Sequence, residues 1–311
     1  MSWNPILDPS IPLGDQVDAI ETVIVPRARD LGGFEVSRIL PHVQQRMVGP
    51  FVFLDQMGPA EFAPGSDAIN VRPHPHIGLS TLTYLFEGEI MHRDSLGYTQ
   101  PIRPGEVNWM TAGSGIVHSE RTDPLKKSQG GPMHGMQAWV ALPVEKEEIA
   151  PSFTHLGEEA QPTDTSNGIF TRLVAGEAFG ERAGTPVESP LYYLHYELPT
   201  GGTFTPPPGA GKAGGYSERS IYVAKGAIEV DHQRFHTGQM VVFSAQAEPV
   251  ITALEPSTVM SMGGEPVGER LIWWNFVSSS KDRLEQAKAD WKAGRMKLPV
   301  DDELEFIPLP E

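Results

Sequence analysis

Two short pairs carry the residue types that bind transition metals. His74-Pro75-His76 and, about 40 residues further on, His118-Ser119-Glu120 set three imidazoles and one carboxylate at i, i+2 spacing. In an extended chain, residues i and i+2 point to one side, so each pair aims at a single point. If the two segments lie side by side in a barrel, four side chains converge. Three neutral imidazoles and one carboxylate suit Fe(II), Mn, Co, Ni, Cu or Zn better than Ca or Mg. An octahedral ion held this way keeps two positions open for water, O2 or a bidentate substrate, the logic of the non-haem iron oxygenases. A lone H-x-H is a weak signal, because alternating polar residues on an exposed strand produce it often. H-x-H followed by H-x-E, with strand, Glu-Gly, strand and Pro-Gly-Glu between them, is much more specific.

Such residues need a rigid extended frame, and the sequence supplies one. Gly (32) and Pro (29) are spread along all 311 residues. Between them lie short runs with strand character: 21–25, 51–54, 80–86, 105–110 and 136–142, then 170–174, 191–197, 220–223, 227–230, 239–243, 259–262 and 272–277. Many short strands with close turn signals predict an all-β sandwich or barrel architecture. Helical periodicity appears only near 280–295, where Leu284, Ala287 and Trp291 share one face. Ser279 with Asp282 resembles a capping box there, and Lys288 and Lys292 suit the C-terminal end. The two halves repeat weakly: LTYLFEGEI then PGEV in the first, SIYVAKGAI then TGQM in the second. The polar stretch Glu158–Asn167 reads as a linker, dividing an N-terminal metal-binding barrel at 1–157 from a C-terminal one at 168–311. The second half is read as having neither H-x-H nor H-x-E, and so as a metal-free barrel that supports the first.

Composition removes several function classes. There is no Cys, which excludes disulfides, zinc–thiolate sites and thiol catalysis. The formal net charge of −16 repels phosphates, and no basic patch offers direct nucleic-acid binding. The first residues show no basic or apolar region of a signal peptide, and no apolar run approaches the roughly 20 residues of a membrane helix. The expectation is a cytoplasmic soluble protein.

The segments DLGGFEVSRILP, GPFVFLDQMGP, RPHPHIGLSTLTYLFEGEIMHRDSLGYTQPIRPGEVNWMTAGSGIVHSER and MQAWVALP, with the tail WWNFVSSSKDRLEQAKADWKAGR, resemble the pirin family. The resemblance covers nearly the whole chain and is strongest from Arg29 to Pro143. It implies a bicupin, two stacked jelly-roll (cupin) barrels with a C-terminal helix. It also implies one mononuclear iron site whose ligands fall on His74, His76, His118 and Glu120. Quercetin 2,3-dioxygenase activity and transcriptional co-regulation are both known in the family. Members often read HPHRGFE where this chain reads HPHIGLS, so Ile77 and Ser80 depart from the pattern and bear on the cavity lining.

Two readings of function follow. In the first, a flavonol-like substrate and O2 meet the ion, and Glu120 accepts the substrate's hydroxyl proton. In the second, the ion shapes a surface read by a protein partner, without turnover. Open positions argue against a purely structural metal, whose sites are usually closed. Other residues get blander readings: His92 as structural or exposed, His134 as a candidate cavity residue, His232 and His236 as separated by a turn. Of Trp109 and Met110, ordinary barrel core is the favoured reading, and Trp273 and Trp274 read as packing near the helix.

Overall fold

The structure, a computed structural model, describes residues 19–30, 35–66 and 69–310. The N-terminal segment read for targeting signals lies outside them. Strands dominate, and they form two antiparallel barrels. In the first, a large sheet runs in the order Ser152–Leu156, Val107–Thr111, Leu79–Glu87, Gly131–Ala141, Phe51–Phe62, Glu35–Leu40, Arg27–Asp30. A smaller sheet faces it: Asn70–His76, Ile116–Arg121, Ile90–Asp94, Thr99–Ile102. The second barrel repeats the plan, with Glu218–Lys225, Ser257–Gly264 and Leu191–Leu198 central in its large sheet.

The large sheets stack back to back, and strand periodicity explains how. Along Leu79–Glu87, Leu82 and Tyr84 enter the shared core between the barrels, whereas Leu79 points into the first barrel's own interior. From the other side Tyr193, Tyr222, Met240 and Met260 meet them. The strand is buried on both faces, and the hydroxyls it carries there are paired, Ser80 with Thr111 at 3.0 Å and Thr83 with Gln137 at 2.8 Å.

The ends of the chain cross over. Strand Ile20–Ile24 pairs with Met240–Phe243, so it belongs to the second barrel's sheet. Conversely, residues 271–278 fold onto the first barrel. They form a hairpin of Leu271–Trp273 and Phe276–Ser278 rather than the single strand expected, because Trp274 turns the chain at φ 52°. Phe276 bridges in parallel to Ile77, and the Val277 amide donates to the Ile77 carbonyl at 3.2 Å. Gly78 (φ 69°) makes this approach possible, since a Cβ there would collide with the Val277 carbonyl. Helix Lys281–Lys292 follows and packs Leu284, Ala287 and Trp291 on Ile77, Val117 and Phe276. Its N-cap is Ser280, whose hydroxyl accepts from the Arg283 amide at 3.3 Å. Ser279, the expected cap, instead donates to Glu147.

The stretch Glu158–Asn167 is more than a tether. Thr163–Asp164 pairs with the second large sheet, and buried Gln161 donates to the Gly105 carbonyl at 2.8 Å. Its polar residues answer buried backbone groups between the barrels, which is why composition alone suggested a linker. Among the described residues, no helix is long and apolar enough to cross a membrane.

Candidate metal centre

Asn70–His76 and Ile116–Arg121 are neighbouring antiparallel strands, with His74 directly opposite His118. A bulge follows: Glu120 pairs with Val71, so Arg72 and Pro73 together oppose Ser119. Pro73 lacks an amide hydrogen, and a bulge is where a strand tolerates it. His74, His76 and His118 bring one ring nitrogen each to within 4.8 Å of one another, all three rings being buried. Glu120 lines the same cavity, half-buried, but its carboxylate stands outside that cluster of three.

The hydrogen bonds fix which nitrogen is free. His74 Nδ1 donates to the Arg72 carbonyl at 2.9 Å, and His76 Nδ1 to the Asn275 carbonyl at 3.1 Å. His118 Nδ1 faces His92 Nδ1 at 3.4 Å, and His92 Nε2 meets Asp94 Oδ2 at 3.0 Å. The other Asp94 oxygen accepts the amides of Leu96 and Tyr98, so Asp94 acts as the acceptor toward His92. His92 therefore carries its proton on Nε2 and accepts from His118 at Nδ1. All three cluster histidines then present Nε2 inward. His118 Nε2 is buried with no hydrogen-bond partner among the described residues. An orphaned imidazole nitrogen beside two others is costly unless something accepts its lone pair, and a divalent transition metal fits that donor set.

Electrostatics agree. Burial, with its desolvation, lowers His74 to about 4. Burial, then the neighbouring imidazoles, hold His76 and His118 well below the usual histidine range. The three rings are therefore neutral at physiological pH, the state a metal requires. Burial raises Glu120 to about 7.

The cavity over the cluster has a volume of about 520 Å³. One wall is aromatic: Phe53 and Trp139 stack with centroids 3.9 Å apart at 11°, and Trp139 meets His76 edge-on at 5.0 Å. Trp274 and Asn275 of the C-terminal hairpin close another side. Trp274 both lines the cavity and packs against the cluster under the helix, where Trp273 also lies, under Lys288 at 4.1 Å.

Several expectations need correcting. His134 is not in this cavity; it lies between the barrels, its Nε2 at 2.9 Å from Gln56 Nε2 and its ring on Phe86. Ile77 packs under the helix and Ser80 bonds Thr111 at 3.0 Å, so neither departure from the family pattern touches the lining. As expected, Trp109 and Met110 are ordinary core, Trp109 between the barrels and Met110 in the first barrel's interior. His232 is fully solvent-facing in its turn. Contrary to the reading of the second half as lacking H-x-E, His195-Tyr196-Glu197 has that spacing. There His195 bonds Glu197 at 2.9 Å and the Tyr84 hydroxyl at 2.8 Å, tying the barrels together.

Residues 33–140 match the model of the Pirin family, and residues 193–297 match that of the Pirin C-terminal cupin domain. A pirin-like protein from Caulobacter vibrioides is 60% identical over 294 residues, covering 94% of this chain and 100% of the relative. The chain belongs to the pirin family. Its fold is the pirin bicupin of two stacked barrels with a C-terminal helix. A quercetin 2,3-dioxygenase structure from Acinetobacter baumannii superposes with a TM-score of 0.85 at 32% identity, covering 93% of this chain and 95% of that one. A second quercetin 2,3-dioxygenase structure from the same organism gives a TM-score of 0.81 at 25% identity, covering 89% and 97%.

Proposed function

We propose that this pirin is a dioxygenase acting on flavonol-like, quercetin-type substrates, with one divalent metal held by His74, His76, His118 and Glu120. Iron is the proposed native ion, in a cytoplasmic protein whose metal barrel is the N-terminal one, drawn from 1–157 apart from the strand Ile20–Ile24 and completed by the hairpin 271–278. The observation that carries the reading is the convergence of three imidazoles with free Nε2 atoms at the base of a cavity with a stacked aromatic wall. The likeness to quercetin 2,3-dioxygenases supports the substrate class.

When bound, the ion supplies Lewis acidity toward a hydroxyl beside a carbonyl and positions for O2. The chain does the rest. Phe53 and Trp139 receive a flat ring system and keep that side of the cavity dry. Glu120, the carboxylate that lines the cavity beside the histidines, is the group placed to take the substrate's hydroxyl proton. His92 and Asp94 hold His118 in the tautomer that leaves Nε2 inward.

The test is anaerobic metal reconstitution followed by oxygen uptake with quercetin, with metal content measured in parallel. Reconstituted protein should hold one ion per chain, and His74→Ala and His118→Ala should lose it while the barrels stay folded. Glu120→Gln should keep some metal yet lose most turnover, since general-base contributions are about 10²–10⁴-fold. A metal-loaded protein that consumes no oxygen with any flavonol overturns the dioxygenase reading and leaves the metal-dependent binding module in its place.

A further inference from the structure

The cavity has a second polar end, away from the histidines. Arg38 and Asp55 are cross-strand partners on Glu35–Leu40 and Phe51–Phe62, and both side chains line it. Arg38 donates from Nε to Asp55 Oδ1 at 2.9 Å and from Nη2 to Oδ2 at 2.8 Å. Among the described residues, its Nη1 donates to no partner. The guanidinium sits 4.5 Å over the Phe53 ring. Phe53 stacks on Trp139, and Trp139 touches His76. The order along the wall is therefore metal ligand, two stacked aromatic rings, fixed cation. Exposed Arg29 lines the cavity too and acts on Asp55, so at this end two cations face one carboxylate, the cavity's other carboxylate being Glu120.

Stability does not account for this arrangement. An ion pair between a buried carboxylate and a partly exposed guanidinium contributes little net stability, and the second cation at this end adds nothing to packing. We propose that Arg38, clamped by Asp55 and assisted by Arg29, is an anion-accepting subsite that selects planar aromatic molecules bearing an acidic oxygen remote from the end facing His74, His76 and His118. As a statement about substrate, this rests on the dioxygenase reading; as a statement about binding, it does not. A flat ring set against the edges of the Phe53–Trp139 stack would place its acidic oxygen at Nη1, making a charge-assisted hydrogen bond of the strong kind. Arg38 is then a specificity residue, held in plane by Asp55.

The experiment uses the full chain stripped of metal, so that no ion competes for a carboxylate. Binding of 2-naphthoate and of its neutral isostere 2-naphthamide is followed by quenching of tryptophan fluorescence, Trp139 and Trp274 lying in the wall. Wild type should prefer the naphthoate by about tenfold or more. Arg38→Met should abolish the preference while leaving the amide's affinity unchanged, and Arg38→Lys should restore part of it. Because Arg38→Met leaves Asp55 unpaired, the double variant Arg38→Met/Asp55→Leu removes both charges and should show the same loss. Equal binding of the two probes to wild type, binding of neither, or a preference that survives in the double variant overturns the subsite. A protein that selects naphthoate through Arg38 yet consumes no oxygen with flavonols refutes the activity and leaves the subsite standing.

Discussion

The carbonyl of Asn275 accepts the Nδ1 hydrogen of His76 at 3.1 Å, across 199 residues of sequence. The metal cluster is therefore oriented by a hairpin that follows the second barrel. That hairpin is pinned by Phe276, fully buried against Ile77, and by Glu147, which pairs with Arg270 at 2.8 Å and accepts from Ser278 at 2.9 Å.

Loosening the hairpin should weaken metal binding without touching a ligand. Phe276→Ala should cost about 3–5 kcal/mol of stability, as buried Phe truncations do, and about 10–100-fold in metal affinity, as lost ligand orientation does. Phe243→Ala, in the second barrel's own core, should cost comparable stability and leave affinity unchanged. Denaturant unfolding and chelator competition on both variants check this; equal affinity losses would mean that the hairpin contact is incidental.

His92 and Asp94 should matter through His118 alone. Asp94→Asn removes the acceptor that fixes the His92 tautomer, and His92→Phe removes the acceptor for His118 Nδ1. Each should lower metal affinity about 10–100-fold in a folded protein, and the double variant should lose little more than either single one, because they act in series. Additive losses in the double variant would show two independent effects.

The three histidines were legible because ligand spacing and strand period coincide, and because the two pairs sit on adjacent strands. Glu120 was read from its spacing as the fourth ligand; the bulge at Pro73 shifts the register between it and His74, and spacing alone does not reveal a bulge. His92 was not legible, since its role depends on Ile90–Asp94 lying beside Ile116–Arg121. Asn275 and Trp274 were hidden by chain distance. Arg38, Phe53 and Asp55 did leave a signal. Phe53, Asp55 and Met57 alternate into the barrel, and a carboxylate in an inward row of apolar residues is anomalous. The exchange of chain ends had none, because Ile20–Ile24 is an ordinary apolar strand whose partner is fixed by tertiary pairing.

The contact between barrels should be sensitive to one hydroxyl. Tyr84 lies fully buried between His195 Nδ1 at 2.8 Å and Arg172 Nη1 at 3.2 Å. Tyr84→Phe keeps the ring but leaves both groups without that partner, which should cost about 1–3 kcal/mol. Unfolding of the metal-free variant measures it. A cost near zero would mean that water replaces the hydroxyl.

The metal affinity should depend on pH through Glu120. In the metal-free protein burial raises Glu120 to about 7 and lowers His74 to about 4, with His76 and His118 also held low. Between pH 5 and 7 His74 is already neutral and His76 and His118 are held well below the usual histidine range, whereas Glu120 is protonated and must release its proton to meet an ion. Affinity should therefore fall about tenfold for each pH unit below 7, one proton's worth. Stability of the metal-free protein carries the matching signs. Glu120, raised from 4.5, makes the folded state bind more protons between pH 4.5 and 7, so its contribution falls as pH rises through that window. His74, lowered from 6.5, does the opposite, and its contribution is lost as pH falls from 6.5 towards 4. Glu120→Gln separates the two. Its metal affinity should be weaker but flat between pH 5 and 7, and its metal-free stability should rise with pH more steeply than wild type across the same range. Chelator competition and urea unfolding at half-unit pH steps give both curves. A variant that keeps the wild-type slope in affinity would place the titrating group elsewhere and remove Glu120 from the ligand set.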